Sequence, residues 1–167
     1  AQRLSRLTGV PVSNVAEGAN LHVAVLSEDD REAWGPRLRD LLPGIGEPSV
    51  RTFLNLPKST YCLVIALSGG EGGAHNRAVV LIRDELPELI RSACIHEELA
   101  QGMGLPNDSP TARPSIFSDT DEFGLLTRHD ELLLRILYDG RMRVGMTEAE
   151  AAPIARAVAA ELVNGQS

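Results

Sequence analysis

Three short runs of branched aliphatic residues constrain the fold of this chain more than any other feature. They are NLHVAVLS at 20–27, YCLVIAL at 61–67 and AVVLIR at 78–83. Each has the length and the residue types of a buried strand. Helix signals lie between and after them, so the chain is predicted to be a mixed α/β domain, with helices packed on a small sheet.

Capping and first-turn residues predict four helices. They are 28 to about 42 after Ser27, 85–103 with Pro87 in its first turn, 128–138 after Thr127 with Asp130, and 148–163 after Thr147 with Glu150. The segment 4–9 is typical of a helix end, and 50–56 is expected to be a further strand. Residues 104–122 have no periodicity and are expected to form a long loop.

Composition sets the size class and excludes several kinds of partner. The 167 residues, 43% of them apolar, suffice for one core and one domain over 1–167. The net charge of −7 and the lack of a Lys/Arg cluster argue against nucleic acid as a partner. No apolar run reaches the roughly 18 residues of a membrane helix, so no transmembrane segment is expected.

Cys62 and Cys94 are the only two cysteines. An even count allows one disulfide, closing a loop of about 30 residues, if the compartment is oxidising. In a reducing compartment they are expected to be two small buried side chains. A third interpretation makes Cys94 a nucleophile served by a histidine, although no motif fixes such a pair.

The segment IHEELAQGMGLPND at 95–108 carries the candidate chemistry. His96 and Glu97 open an HExxH zinc motif, but Ala100 stands where the second histidine is needed, so that motif fails. On a helix His96 falls among apolar side chains and is predicted to pack inside with Leu99 and Met103. The interpretation of His96 as a metal ligand is therefore the weaker one.

The opposite face of this predicted helix is polar. Glu97 and Gln101 are four residues apart and share a face, with Glu98 beside them, and we expect this face to point into a surface cleft. One register later than HExxH, five residues match every spacing of HExxHxxGxxH: Glu97, Glu98, Gln101, Gly104 and Asn107. The glycine permits a sharp turn, after which Asn107 or Asp108 would reach the third ligand position.

Through this pattern the chain resembles the metzincin zinc peptidases, and more closely a bacterial family of uncharacterised, metallopeptidase-like proteins thought to be exported. PSIFSD at 114–119 stands where matrix metalloprotease-type enzymes place their Met-turn, with Phe117 at the methionine position. LLTRHDELLLRILYDGR at 125–141 looks like their closing helix. The resemblance covers about 21–145.

The resemblance implies an α/β (α+β) zincin fold: a mixed twisted sheet, a backing helix, a motif helix and a helical C-terminal part, in one metallopeptidase-like domain over 1–167. It makes Glu98 the catalytic general base. It places five further residues in the cleft: Glu97, Gln101, Asn107, Asp108 and Phe117. It also implies a periplasmic or extracellular location, with the signal peptide not present in this chain.

Departures from the metzincin pattern change the expected function. Glu97, Gln101 and Asn107 replace all three zinc-binding histidines, so no metal cofactor is expected, and a weakly bound divalent cation stays an open alternative. The prediction is a pseudo-peptidase that binds a peptide or a cell-envelope protein without zinc-dependent catalysis. The alternative is an atypical hydrolase in which Glu98 activates a water.

Two loops are expected near the cleft. SGGEGG at 68–73 lacks the GK[ST] ending of a phosphate loop and is predicted to be a hairpin connection, followed by a solvated or cleft-lining His75. Asp119, Asp121 and Glu122 form an acidic loop that is expected to be a solvated turn, with weak calcium binding as the alternative.

Overall fold

The secondary structure is mixed, with seven α-helices and three strands in the part of the chain that the computed structural model describes, residues 1–69, 73–118 and 122–165. The strands are β1 (Leu21–Leu26), β2 (Cys62–Ser68) and β3 (His75–Arg83). The helices are α1 (Gln2–Thr8), α2 (Glu28–Glu32), α3 (Gly35–Leu41), α4 (Glu47–Leu54), α5 (Glu88–Gly102), α6 (Arg128–Leu137) and α7 (Glu148–Asn164). A 3-10 turn spans Ile116–Ser118.

The three strands form one sheet in the order β1-β3-β2. β3 lies in the middle, parallel to β1 and antiparallel to β2. Residues 78–83 of β3 are all buried, as expected for a central strand covered on both faces. The three strands predicted from the aliphatic runs are confirmed, and β3 begins earlier than predicted because Ser68 pairs with His75 across the hairpin.

Helices cover both faces of the sheet. Successive residues of a strand point to opposite faces, so neighbouring residues of β3 contact different helices. On one face Leu81 packs with Leu38 of α3 and Phe53 of α4. On the other face Val80 packs with Cys94 of α5. α5 is in turn covered by what we call the far cluster, which consists of Leu4, Ala100, Ile116, Phe117, Leu126 and Leu134.

The predicted helix over 28 to about 42 is divided in two. α2 ends at Glu32, and α3 starts at Gly35 with Pro36 in its first turn. Proline has no amide hydrogen to bond the preceding turn, so it starts a new helix more readily than it continues an old one. The intervening Trp34 stacks on Phe53, with ring centroids 6.0 Å apart.

The strand predicted over 50–56 was wrong, because residues 50–54 belong to α4. Glu47 and Pro48 form its first turn, which favours a helix. Val50 and Phe53 are three residues apart, so a helix turns both towards the same core. The apolar run at 50–56 is too short to show the period of the amphipathic helix that contains most of it.

Asp130 fixes the 3-10 turn to the start of α6. Its side chain is fully buried and accepts hydrogen bonds from the Ser115 hydroxyl and from the amides of Ile116 and Thr127. Thr127 and Asp130 also form the predicted capping box. Thr147 and Glu150 form a second capping box, which caps α7 as predicted.

No helix in the described ranges has both the length and the apolar character needed to cross a membrane.

Candidate functional site

A cleft of about 670 Å³ lies between the outer edge of β2 and the C-terminal half of α5. Glu97, Glu98 and Gln101 line it from α5, and Asp108 from the loop that follows. The predicted cleft therefore exists, and four of the six predicted site residues lie in it. His75, at the start of β3, also lines it, with its Nδ1 atom 3.3 Å from the carbonyl oxygen of Gly102.

The end of α5 brings the loop back to the helix. Gly104 has φ +113°, a conformation that side chains other than glycine rarely adopt, and it turns the chain as the sequence pattern predicts. The Gln101 Nε2 atom then donates a hydrogen bond of 2.8 Å to Asp108 Oδ1. Asp108, rather than Asn107, therefore reaches the third position, and Asn107 is exposed and outside the cleft lining.

Glu98 is the most unusual residue of the cleft. Its side chain is only 5% exposed, although it lines the cavity, and its Oε2 atom is buried without a hydrogen-bond partner. Burial raises the pKa of Glu98 to about 8, and the negative charges of Glu97 and Asp108 add to the rise. A hydrogen bond from the Val64 amide offsets part of it. At neutral pH the carboxyl group is therefore mostly protonated.

The outer edge of β2 forms the second wall of the cleft. The Arg83 amide donates to the Tyr61 carbonyl at 3.2 Å, so the odd-numbered residues of this strand bond to β3. Even-numbered residues point their peptide groups the other way: Cys62, Val64 and Ala66. This edge has no strand partner among the residues described, and its Val64 amide is the one that bonds Glu98.

A disulfide joins the two walls of the cleft. Cys62 of β2 and Cys94 of α5 are bonded to each other, so neither is a free thiol. The interpretation of Cys94 as a nucleophile is wrong, because its sulfur is already bonded and the residue is only 2% exposed. The bond also fixes α5 against the open edge of the sheet.

The donor atoms of the cleft do not fit zinc. Carboxylate oxygens of Glu97 and Glu98 and the sulfur of Cys62 lie within 4.8 Å of one another. The Cys62 sulfur is part of a disulfide and offers no thiolate. Structural zinc sites are built mostly from thiolates and imidazoles, and this set of Cys62, Glu97 and Glu98 offers neither.

Two residues singled out in the sequence lie away from the cleft. Phe117 was predicted to line it, but Phe117 is buried in the far cluster behind α5, so this prediction needs correction. His96 is half-buried on the side of α5 that faces α1, and burial and the charge of Arg3 lower its pKa. Leu99 and Met103 pack against the far cluster, as predicted for this side of the helix.

The contribution of β2 was missed by sequence reasoning. A run of apolar residues predicts a strand, but nothing in it tells whether the strand lies at an edge or in the middle of the sheet.

Of the two loops expected near the cleft, residues 70–72 and the acidic Asp119 and Asp121 lie outside the described residues. Glu122 forms an ion pair with Arg113.

Comparison with known proteins gives one match. A family model described as a protein of unknown function (DUF2927) matches residues 1–157, so the chain belongs to this family. No curated protein and no solved structure matches the chain. Evidence about function therefore comes from the cleft itself.

Glu98 should make the stability of the fold depend on pH. Its pKa rises from 4.5 to about 8 on folding, so the folded protein holds this proton more tightly than the unfolded chain. The stabilisation is complete below pH 4.5 and is lost as the pH rises through about 8, a change of up to about 5 kcal/mol. Glu98→Gln, which resembles the protonated form, should remove this loss.

The measurement is urea unfolding of wild type and Glu98→Gln from pH 4 to pH 9. The free-energy difference between the two should grow in favour of the variant with rising pH. Glu88→Gln, an exposed substitution on the same helix, is the matched control and should keep the wild-type profile. A constant difference across the range would show that Glu98 does not hold a proton in the folded state.

Proposed function

We propose that this protein is a pseudo-peptidase of metzincin-like zincin fold, whose cleft binds an extended segment of a peptide or cell-envelope protein without cutting it. The open edge of β2 beside the cleft is the observation that carries this proposal. Unpaired peptide groups on a sheet edge recognise an extended chain by adding it as a further strand.

Geometry around β2 supports an extended ligand. Cys62 and Ala66 direct their peptide groups outward on either side of Val64, whose amide is bonded to Glu98. Both residues also line the cleft, so a chain lying along β2 would place alternate side chains over α5. The main-chain hydrogen bonds would give affinity. The polar floor of the cleft, formed by Glu97, Glu98 and Gln101 of α5, would select among the side chains of the ligand.

The chemistry of the floor supports binding rather than zinc-dependent cleavage. Glu97 and Gln101 supply a carboxylate and an amide where zinc peptidases hold imidazoles, and Gln101 is engaged with Asp108. The β2–α5 disulfide also holds the floor in one position. A floor that is already fixed lowers the entropy lost when a ligand binds.

Ala66→Pro should weaken peptide binding and leave the sheet in place. Proline removes the amide hydrogen of Ala66, which points away from β3, so no β2–β3 hydrogen bond is lost. Peptides selected on wild type from a random display library should bind this variant about tenfold or more weakly, since each lost hydrogen bond costs about 1 kcal/mol and the added ring obstructs the edge. Fluorescence anisotropy with labelled peptides measures the affinity.

The matched control is Ala66→Ser, which changes the side chain and keeps the amide hydrogen. It should bind the selected peptides as wild type does, and thermal melts should show that both variants are folded. If no peptide is selected on wild type, or if the proline and serine variants bind equally, the edge of β2 is not the binding site.

A hydrolase remains the second candidate, and the state of Glu98 is the observation that favours it. A general base works best when its pKa lies near the working pH, and the pKa of Glu98 is about 8. Glu98 lines the cleft and its buried Oε2 atom has no hydrogen-bond partner, so on ionisation it could take a proton from a water that attacks a carbonyl.

In this second case, hydrolysis of a fluorogenic peptide mixture should rise with pH and level off above about pH 8, because only the ionised Glu98 accepts a proton. Glu98→Gln should slow turnover by about two to four orders of magnitude while the protein stays folded. Absence of turnover by wild type across this pH range would exclude the hydrolase.

We also propose that the protein is exported. The Cys62–Cys94 disulfide supports this, because disulfides persist in oxidising compartments and are rare in the cytosol. Fractionation of the host cells, with maleimide labelling under denaturing conditions, should find the protein outside the cytoplasm with both thiols protected. Cytoplasmic protein with two labelled thiols would contradict the proposal.

A further inference from the structure

Negative charge and an unpartnered buried oxygen meet at one place in the cleft. Glu98 Oε2 has no hydrogen-bond partner, and its residue is 95% buried yet lines the cavity. Buried polar atoms in proteins are nearly always paired, so an atom left in this state marks a position that a ligand can complete. The Val64 amide donates a hydrogen bond to the same carboxyl group.

The groups around this oxygen determine the charge of that ligand. Glu97 comes from α5 and Asp108 from the loop after it, and both are close enough to act on Glu98. Tyr61, just before β2, and His75 of β3 also line the cleft. Among the described residues that line the cleft there is no lysine or arginine, so the wall is acidic.

We propose that the cleft has a subsite for a cationic side chain, arginine or lysine, whose N–H groups bond Glu98 Oε2 and whose charge offsets Glu97 and Asp108. This inference rests on the proposed peptide-binding function and names the kind of peptide. A neutral donor, such as water, would satisfy the oxygen but would gain nothing from the negative charges of Glu97 and Asp108. A guanidinium or ammonium group does both, because charge-assisted hydrogen bonds are about twice as strong as neutral ones.

A divalent cation fits this place less well than an organic cation. Calcium takes six to eight oxygen ligands and magnesium demands a near-octahedral set. Of the oxygens here, one of Glu98 is bonded to the Val64 amide and one of Asp108 to the Gln101 amide. A side-chain cation needs only the free oxygen and the nearby charge.

Binding of the cation should release a proton. The pKa of Glu98 is about 8, so at pH 7 the free protein carries about 0.9 of a proton there, and a cation favours the ionised form. Calorimetry in phosphate and in Tris, which differ in ionisation enthalpy, measures the number of protons released on binding.

The test compares four acetylated and amidated heptapeptides that differ only in the central residue: arginine, citrulline, lysine or norleucine. Citrulline has the shape of arginine without its charge. In wild type, the arginine peptide should bind about 10 to 100 times more tightly than the citrulline peptide, as expected for one charge-assisted hydrogen bond. Lysine should likewise exceed norleucine, and only the cationic peptides should release a proton.

Glu98→Gln is the decisive variant, because it keeps the shape of the side chain and removes its charge. In this variant the preference for arginine over citrulline should fall to the few-fold that Glu97 and Asp108 supply, and the proton release should disappear. Glu148→Gln, which removes one exposed charge at the start of α7, is the matched control and should keep both. Thermal melts show whether each variant is folded.

The outcomes separate this inference from the function on which it rests. If all four peptides bind with equal affinity, the edge of β2 binds peptides and the cationic subsite is wrong. If the arginine preference persists undiminished in Glu98→Gln, the cation binds elsewhere and the inference is again wrong. If none of the four peptides binds while Ca²⁺ or Mg²⁺ alone binds wild type and not Glu98→Gln, the site takes a metal and the inference is overturned.

Discussion

The packing of α5 across β2 and β3 is the contact on which the rest of the structure depends. One side of α5 buries Cys94 against Val80, and the opposite side supports the far cluster through Ala100. Gly102 permits the close approach, since a Cβ atom there would lie 3.3 Å from a methyl group of Leu21 and 3.5 Å from one of Val64. With both of these sides covered, the remaining polar face of the helix borders the open edge of the sheet.

Much of this arrangement follows from local sequence. The i, i+4 spacing placed Glu97 and Gln101 on one face, and two threonine caps located the starts of α6 and α7. The errors also have local causes. Val50 to Leu56 was too short a run to separate period 2 from period 3.6, and Pro36 divides a helix whose apolar pattern continues through it.

The chemistry of the cleft depended on contacts that no spacing rule contains. Glu98 was expected beside Glu97 and Gln101 on the polar face, but it is buried, and the Val64 amide of β2 bonds its carboxyl group. The sequence left Asn107 and Asp108 as alternatives for the third position, and only the folded loop shows that Gln101 bonds the carboxylate of Asp108. The burial of Glu98 and the Gln101–Asp108 bond both depend on where the edge of β2 and the loop after α5 lie relative to the helix. Residue spacing in the sequence does not predict these positions.

Glu98, which destabilises the folded state when ionised, lies in the cleft whose two walls the Cys62–Cys94 disulfide joins. With a pKa of about 8, Glu98 costs the folded state about 3 kcal/mol at pH 7 relative to an ordinary carboxyl group. The Cys62–Cys94 disulfide closes a loop of 32 residues, and restricting the unfolded chain in this way stabilises the fold by about 4 kcal/mol.

The two contributions are therefore of similar size and opposite sign, and they act on the same pair of elements. Without the bond, β2 could move away from α5, and water would reach the Glu98 carboxyl. With the bond, the carboxyl stays at the border of the cleft, buried and short of one hydrogen-bond partner. A group held in this way has already lost its hydration, so a ligand that supplies the missing donor gains the hydrogen bond without a new desolvation cost on the protein side.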